Sequence, residues 1–155
     1  MASYILQIKD RHNGNILIDN EGHIIHIDFG FIFNISPAGN LKFERPEFKM
    51  TREMIQIMGN ETSESFAYFK DLVVKGFIML REYADEFIAI ADMTKNAGFT
   101  CFRKKTMSDM RNRFYLSKRL PKVARKVQKM IYWANNSIFT NWYDRIQLMQ
   151  QKIEY

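Results

Sequence analysis

The stretch Lys9–Gly30, KDRHNGNILIDNEGHIIHIDFG, decides how the chain is read. Lys9, Asp10, Arg11, His12 and Asn15 crowd five chemically able side chains together at its start. Ile16 to Asp19 then reads as a short strand. Asn20-Glu21-Gly22 supplies a turn, with Gly22 free to take the positive φ that tight turns ask for. Ile24, Ile25 and Ile27, inside HIIHID, read as a second strand, and the two strands make a hairpin. A hairpin brings the start of its first strand close to the end of its second. Asn15 and Asp28 therefore fall at one end, with Asp10 and His12 in reach of the same point.

Those residue types suit one kind of chemistry. Two protein oxygens, with the remaining ligands from phosphates and water, is how Mg2+ is held at a nucleotide. Asn15 and Asp28 are the candidates for that pair. Asp10 and His12 are candidates for a base that orients an attacking hydroxyl, so the set is arranged for phosphoryl transfer. Any one of these Asp or Asn residues alone would be read as turn or cap chemistry. His23 and His26 are expected to be structural, hydrogen-bonding histidines on a strand face rather than metal ligands.

Outward from the hairpin, residues 30–50 read as a loop, punctuated by Gly30, Pro37, Gly39 and Pro46. At about 20 residues it is longer than most loops in compact domains, and such loops usually carry function or disorder. From Thr51 the pattern turns helical. Thr51 is a fitting N-cap for REMIQIMG, and Gly59 a fitting stop. From about Ser63 to Arg81, Phe66, Phe69, Val73, Phe77 and Leu80 recur at three- and four-residue steps, as one face of a helix requires. A third segment, about Glu82 to Asn96, carries Phe87, Ile90 and Ala91. Thr106 followed by Asp109 resembles a capping arrangement for a helix to Phe114. Pro121 suits the first turn of a helix over 121–136. A last helix, about Phe139 to Lys152, carries Trp142, Ile146 and Met149 on one stripe. The expected fold class is α+β, mainly helical, with a small β-hairpin followed by a helical body.

Composition narrows the setting. The 155 residues suit one domain or one lobe, and 13 Phe favour a real core over disorder. The ten Met and the Phe stripe read as core packing rather than a cofactor site. A single cysteine, Cys101, excludes an internal disulfide and favours a reducing compartment. The N-terminal apolar run is too short for a secretory signal, and no run approaches the ~18 apolar residues of a membrane span. The net charge of +6 is unevenly spread. Arg103–Lys129 holds eleven Lys and Arg against one acid, Asp109, while the rest holds twelve basic and sixteen acidic residues. Such a segment reads either as a solvated helix face or as a dock for an anionic partner, with lipid headgroups ahead of nucleic acid.

The order of the first motif adds a resemblance. Protein kinases read His-Arg-Asp in their catalytic loop, whereas this chain reads Asp10-Arg11-His12. The inverted motif, with Asn13 and Asn15 and followed by HIDFG, resembles the phosphatidylinositol 3-/4-kinase superfamily of lipid kinases and related protein kinases. KDRHNGNI, EGHIIHIDFGF, SPAGNL, the Met58-Gly59 pair and CFR at Cys101–Arg103 are similar to the type III phosphatidylinositol 4-kinases. RNRF at Arg111–Phe114 and the tail YDRIQLMQQKIEY look closest to their alpha branch. The likeness runs over essentially the whole chain and is weakest from Lys118 to Asn136.

That resemblance implies a protein-kinase-like C-terminal lobe whose hairpin carries the catalytic and metal-binding loops. Residues 1–30 would be the catalytic loop and metal hairpin, 28–50 the activation loop, and 51–155 the helical body. It implies catalytic roles for Asp10 and His12, without saying which handles the proton of the inositol 4-hydroxyl. Arg11 would hold the loop, Asn15 and Asp28 would bind the metal, and Lys9 would meet phosphate. Lys42, Arg45 and Lys49 would face the lipid headgroup. Their sparse spacing suits plain phosphatidylinositol, because each further phosphate adds about two charges that call for a denser cluster. FERPEFKMT departs from the family's loop in its placing of Pro46 and Glu47.

The cofactors implied are ATP and Mg2+ (or Mn2+). The implied partner is phosphatidylinositol in an anionic membrane surface, together with regulatory scaffold proteins. Nucleic acid is not expected, since the basic stretch lacks paired Cys/His fingers or an aromatic platform. The expected location is cytoplasmic and peripheral to membranes, the plasma membrane first. A kinase also needs a Gly-rich loop and a strand lysine over the ATP phosphates, both ahead of the catalytic loop. Only nine residues precede Asp10, so the expectation is a C-terminal lobe without its N-terminal lobe, inactive by itself. The alternatives are a truncated, non-catalytic module that binds anionic membranes, and a sibling 3-kinase or protein kinase. SPAGNL and Lys9 argue against the sibling.

Overall fold

Polar residues at the helix starts and apolar residues at helical spacing set most of the architecture. The computed structural model describes residues 1–33, 35 and 47–135. In chain order these form α1 (Ala2–Leu6), a single 3-10 turn at Asn13–Asn15, β1 (Ile16–Ile18), β2 (Ile24–His26), α2 (Arg52–Ile57), α3 (Glu64–Glu82), α4 (Ala84–Thr94), α5 (Thr106–Arg113) and α6 (Leu120–Asn135). The fold is mainly helical with one two-stranded antiparallel sheet, the α+β class expected. Ile16 pairs with His26, Leu17 with Ile25 and Ile18 with Ile24. The strands are shorter than the spans read from sequence, which ran to Asp19 and Ile27.

The N-caps work as their side chains dictate. Thr51 accepts from the Met54 amide at 3.3 Å, and Ser63 accepts from the Phe66 amide at 3.1 Å. Each satisfies one of the amides that a helix start leaves without a partner. Gly59 ends α2 at φ +97, where a Cβ would sit 3.1 Å from that of Ser63, so both backbone and space call for glycine. Thr106 overturns the capping expectation. It is 1% exposed and already helical, and its Oγ1 accepts from the Arg103 amide at 2.8 Å instead of capping α5. A Thr ahead of an acid reads the same either way; the burial of Thr106 decides the difference.

Among the described residues, one core joins the six helices. On α3, Phe66 and Phe77 are buried, with Phe69, Val73 and Leu80 packed beside them. On α6, Val123, Val127, Met130, Ile131 and Ala134 form a single inward face that packs on α3. Of the apolar residues expected on α4, only Ala91 is buried. Phe87 stacks on Phe114 at 6.3 Å, and Ile90 is exposed. The expected helix over 139–152, with Trp142, Ile146 and Met149, lies outside the described residues, as do Pro37, Gly39 and Pro46 of the long loop. No helix among the described residues is long and apolar enough to cross a membrane.

α1 was not foreseen, and it positions the site. Its five residues include no side-chain cap. What holds it is distant in sequence. The Tyr4 hydroxyl donates to the Arg113 carbonyl at 3.2 Å and lies 2.9 Å from the Tyr115 hydroxyl. Arg113 Nε donates back to the Ile5 carbonyl at 2.8 Å. Burial raises the Tyr4 pKa, which keeps the phenol a donor, and lowers that of Arg113. α5 thus braces the helix that leads directly into Lys9.

Candidate active site

The Lys9–Asn15 loop begins where α1 ends. Gln7 closes the helix in the left-handed region at φ 49, and Asp10 follows at φ 59. A non-glycine residue there costs on the order of 1 kcal/mol or more. Among the described residues, Gln7, Asp10, Asp28 and Phe33 are four of the five non-glycine residues with positive φ. Backbone strain is thus gathered on the two segments that form the site, as it is at functional centres. The segments are laced together: the Lys9 amide donates to the Phe31 carbonyl at 2.9 Å, and the Phe33 amide to the Leu6 carbonyl at 2.8 Å.

Arg11 is the clamp between loop and hairpin. It is 6% exposed, and its guanidinium donates to four main-chain carbonyls. Nε donates to Lys9 at 2.7 Å, Nη1 to Asn15 at 3.1 Å and Ile27 at 2.7 Å, and Nη2 to Asp28. A planar fork of five donors is suited to gathering carbonyls from two segments at once. The Ile27 amide also donates to the Asn15 carbonyl at 3.1 Å, one step beyond the Ile16–His26 pair. That register places Asn15 and Asp28 together at the open end of the hairpin.

The donor set there fits a hard divalent cation shared with phosphate. The Asn15 amide nitrogen is committed to the Asp10 carbonyl at 2.9 Å, which leaves its side-chain oxygen for a cation. The Asp28 carboxylate is exposed, and among the described residues its Oδ1 accepts the Gly30 amide at 3.1 Å. Among the described residues there is no group of three or more His, Cys, Asp or Glu that would make an all-protein cage. Two oxygens and an open side suit Mg2+ or Mn2+ at a nucleotide, and not a soft metal.

His12 stands apart. It is 6% exposed, and its Nδ1 is buried without a hydrogen-bond partner. Nε2 lies 3.9 Å from Asp10 Oδ2, close but beyond hydrogen-bonding distance. A buried polar nitrogen left unsatisfied is uncommon and calls for a reason. Lys49 reaches the same loop, its Nζ donating to Asn13 Oδ1 at 2.8 Å. Lys42 and Arg45 lie outside the described residues. Phe29 rests with its ring 5.9 Å from the Arg11 guanidinium and lines an apolar hollow of about 540 Å3 with Ile32, Phe33, Ile90 and Cys101.

The structure therefore brings Asp10, Arg11, His12, Asn15, Asp28 and Lys49 to one place, with the Lys9 main chain bonded on both sides. The histidines of the hairpin are less uniform than expected. His23 is in the turn, not on a strand, where its Nδ1 meets Asp19 Oδ2 at 2.8 Å. His26 is on β2, but its Nδ1 is buried without a partner, and burial lowers its pKa. No sequence signal marks the carbonyls that Arg11 gathers, because every residue possesses one.

A small hairpin feeding a helical body, with an inverted Asp-Arg-His loop facing an Asp-Phe-Gly end, defines a kinase-type C-terminal lobe. The model of the phosphatidylinositol 3- and 4-kinase family matches residues 1–104, and the chain belongs to that family. It is 43% identical over 150 residues to a phosphatidylinositol 4-kinase of Dictyostelium discoideum. It is 42% identical over 153 residues to phosphatidylinositol 4-kinase beta 2 of Arabidopsis thaliana, and 40% over 155 residues to phosphatidylinositol 4-kinase beta of Rattus norvegicus. These matches cover 95 to 99% of the chain. They cover only 13 to 19% of the relatives, so the chain spans under a fifth of their length. The branch named in the Arabidopsis and rat relatives is beta, and the alpha branch expected from the tail and Arg111–Phe114 is not shown by them.

Proposed function

We propose that this chain is the catalytic-loop and metal-ligand part of a phosphatidylinositol 4-kinase, which transfers the γ-phosphoryl group of ATP to the inositol 4-hydroxyl of phosphatidylinositol. The observation that carries the reading is His12, a buried imidazole with an orphaned nitrogen, set beside a strained Asp10 at the mouth of the hairpin. In this reading Asn15 and Asp28 hold Mg2+ or Mn2+, which when bound screens the charge on the ATP phosphates. Asp10 and His12 receive and orient the incoming hydroxyl and take up its proton. Arg11 fixes the distance between those two pairs. Lys49, tied to Asn13, sets the end of the activation loop against the catalytic loop, where the lipid headgroup enters.

The names of the relatives support the 4-kinase assignment and phosphatidylinositol as the substrate. For the branch, those names favour beta and the tail favours alpha, and the proposed chemistry is the same in either. Residues 1–30 as catalytic loop and hairpin, and 28–50 as activation loop, follow from the motif order. A cytoplasmic, membrane-peripheral location, with the plasma membrane first and scaffold proteins as further partners, belongs to the same reading. The free, buried Cys101 is in keeping with it.

The test is a lipid-kinase assay on the full-length protein with labelled ATP and Mg2+. Phosphatidylinositol, its monophosphates and a protein substrate are offered together. The expected product is the 4-phosphate of phosphatidylinositol, lost by at least about a thousandfold in Asp28→Ala, as suits removal of a group that positions charge in phosphoryl transfer. Label on the 3-position, label on protein, or full activity in Asp28→Ala would each overturn it.

A further inference from the structure

The structure splits the basic stretch that the sequence presents as one block. Arg113 is buried under α1 and bonded to the Ile5 carbonyl. Arg111 forms an ion pair with Asp85 at 2.7 Å. Lys126 lies 4.7 Å over the Tyr115 ring. These three cations serve the fold. The outer side of α6 is different. Lys122, Arg125 and Lys129 are exposed and recur at three- and four-residue steps, opposite the Val123, Val127 and Met130 face that packs on the core. Tyr132 and Trp133 continue the stripe at its C-terminal end, 59% and 54% exposed, ring edge against ring face.

Nothing within the helix rewards this arrangement. α6 has no acidic residue, and six cations fall between Lys118 and Lys129 without one. Lys122 stands in the first turn, at the positive end of the helix dipole, where a cation is unfavourable. Lys122, Arg125 and Lys129 lie on adjacent turns and repel one another. No described carboxylate forms an ion pair with them. Among the described residues, what holds them is one long bond, from Arg125 Nε to the Pro121 carbonyl at 3.4 Å. An anionic surface outside the chain would turn each of these unfavourable placements into a favourable one.

We infer that the outer face of α6 docks on an anionic lipid bilayer. Lys122, Arg125 and Lys129 lie against the headgroups, and Trp133 with Tyr132 enters the interface. Two features choose a bilayer over nucleic acid. The aromatics are grouped at one end instead of interleaved with the cations as a stacking platform needs. Trp and Tyr, apolar bodies with a polar tip, are also the residues that favour the membrane–water interface. The inference stands on charge and exposure, independent of the kinase reading.

The experiment is sedimentation of the full-length protein with vesicles of phosphatidylcholine, with and without phosphatidylserine, all free of phosphatidylinositol. The expected result is preferential binding to the phosphatidylserine vesicles. The triple variant K122Q/R125Q/K129Q should bind them about a hundredfold more weakly, at about fivefold per cation near a charged surface. That difference should shrink as salt is raised. The conservative variant Lys122→Arg with Lys129→Arg should bind like the parent. Trp133→Ala should weaken binding several-fold with the same salt dependence. Equal binding to neutral vesicles, or a triple variant that sediments like the parent, overturns the inference. So does a triple variant that loses retention on single-stranded RNA while keeping the vesicles. Because no phosphoryl transfer is read, this outcome and that of the kinase assay are separate.

Discussion

The helical body and the hairpin are held by opposite means. In the body, Phe77, Phe114, Val123 and Val127 are completely buried, and each helix gives a face to one shared core. In the hairpin, Leu17, Ile18, Ile24 and Ile25 are between 45 and 63% exposed, on strands of three residues each. A two-stranded ribbon of that size is marginal by itself in water. It keeps its place through polar bonds: Arg11 at the open end, Asp19 at the turn. The body is therefore stabilised by non-directional burial, and the hairpin by directional bonds at two points. Directional bonds fix Asn15 and Asp28 relative to Asp10, which hydrophobic packing of so few residues would not. The same contrast predicts that damage to the body unfolds everything, whereas damage to the clamp releases the site alone.

The largest effect tests the body. Phe77→Ala removes a ring that is 0% exposed and touches Tyr4 and Tyr115. It should cost about 3 to 5 kcal/mol of global stability. Urea unfolding should show a lower midpoint at an unchanged slope. A loss below about 1 kcal/mol, outside the range for buried Phe, would mean that the core is not the shared support described above. Arg11→Ala comes next and tests the clamp. Hydrogen bonds to a charged group are worth about 1.5 to 3 kcal/mol, and its loss also leaves buried carbonyls unpaired. Hydrogen exchange should speed up at the Ile27 and Asp19 amides, which bond across the hairpin to Asn15 and His23. Exchange in α3 and α6 should change little. If both regions accelerate equally, hairpin and body are one cooperative unit and the comparison fails.

The two regions also differ in how much of them can be read from sequence. The body's elements carry local signals: Ser63 and Thr51 at N-caps, apolar residues at three- and four-residue spacing on α3, Pro121 in the first turn of α6. The hairpin's register is legible as well, since alternation and a turn place Asn15 opposite the end of β2. α1 is not legible, because its support is Arg113 at the end of α5 and Tyr115 in the turn after it, far along the chain. Nor is the Arg11 clamp, whose partners are backbone carbonyls, nor the left-handed turn at Asp10, a residue type that occupies many conformations. Thr106 misleads because a capping residue and a buried Thr look alike until its neighbours are known. Local sequence thus writes the helices, and long-range contacts write the site's exact setting.

A smaller effect sharpens the account of the body. Ser63 accepts from the Phe66 amide and lies 2.6 Å from the Met58 carbonyl, joining the end of α2 to the start of α3. Ser63→Ala should cost about 1 kcal/mol in thermal or chemical unfolding. Thr106→Ala provides the contrast. It removes no cap, so its cost should come from the buried contacts to the Arg103 amide and the Cys101 carbonyl, and replacement by Ser, which keeps the hydroxyl, should restore most of it. If Ser restores nothing, the methyl group and not the hydroxyl is what α5 needs from this position.

The smallest effect lies at the tip of the hairpin. Asp19 Oδ1 accepts from the Glu21 amide at 2.9 Å and the His23 amide at 2.8 Å, and Oδ2 meets the His23 ring at 2.8 Å. The His23 backbone bond, then its side chain, hold the Asp19 pKa below its usual value of 3.8. A carboxylate favoured in the folded state contributes stability that is present above its unfolded pKa and lost as pH falls through the folded one. The hairpin tip should therefore loosen in acid, below about pH 4, while the apolar core of the body holds and acid reaches the body at Glu53, whose hydrogen bonds at the start of α2 lower its pKa in the same sense. Asp19→Asn keeps one acceptor oxygen and cannot titrate. Its turn amides, followed by NMR from neutral pH downward, should lose the acid-dependent change that the parent shows. A parent and a variant with the same acid profile would transfer the hairpin's tip stability from the Asp19 carboxylate to the backbone turn at Gly22, leaving Arg11, at the open end, as the side-chain clamp on which the contrast between hairpin and body rests.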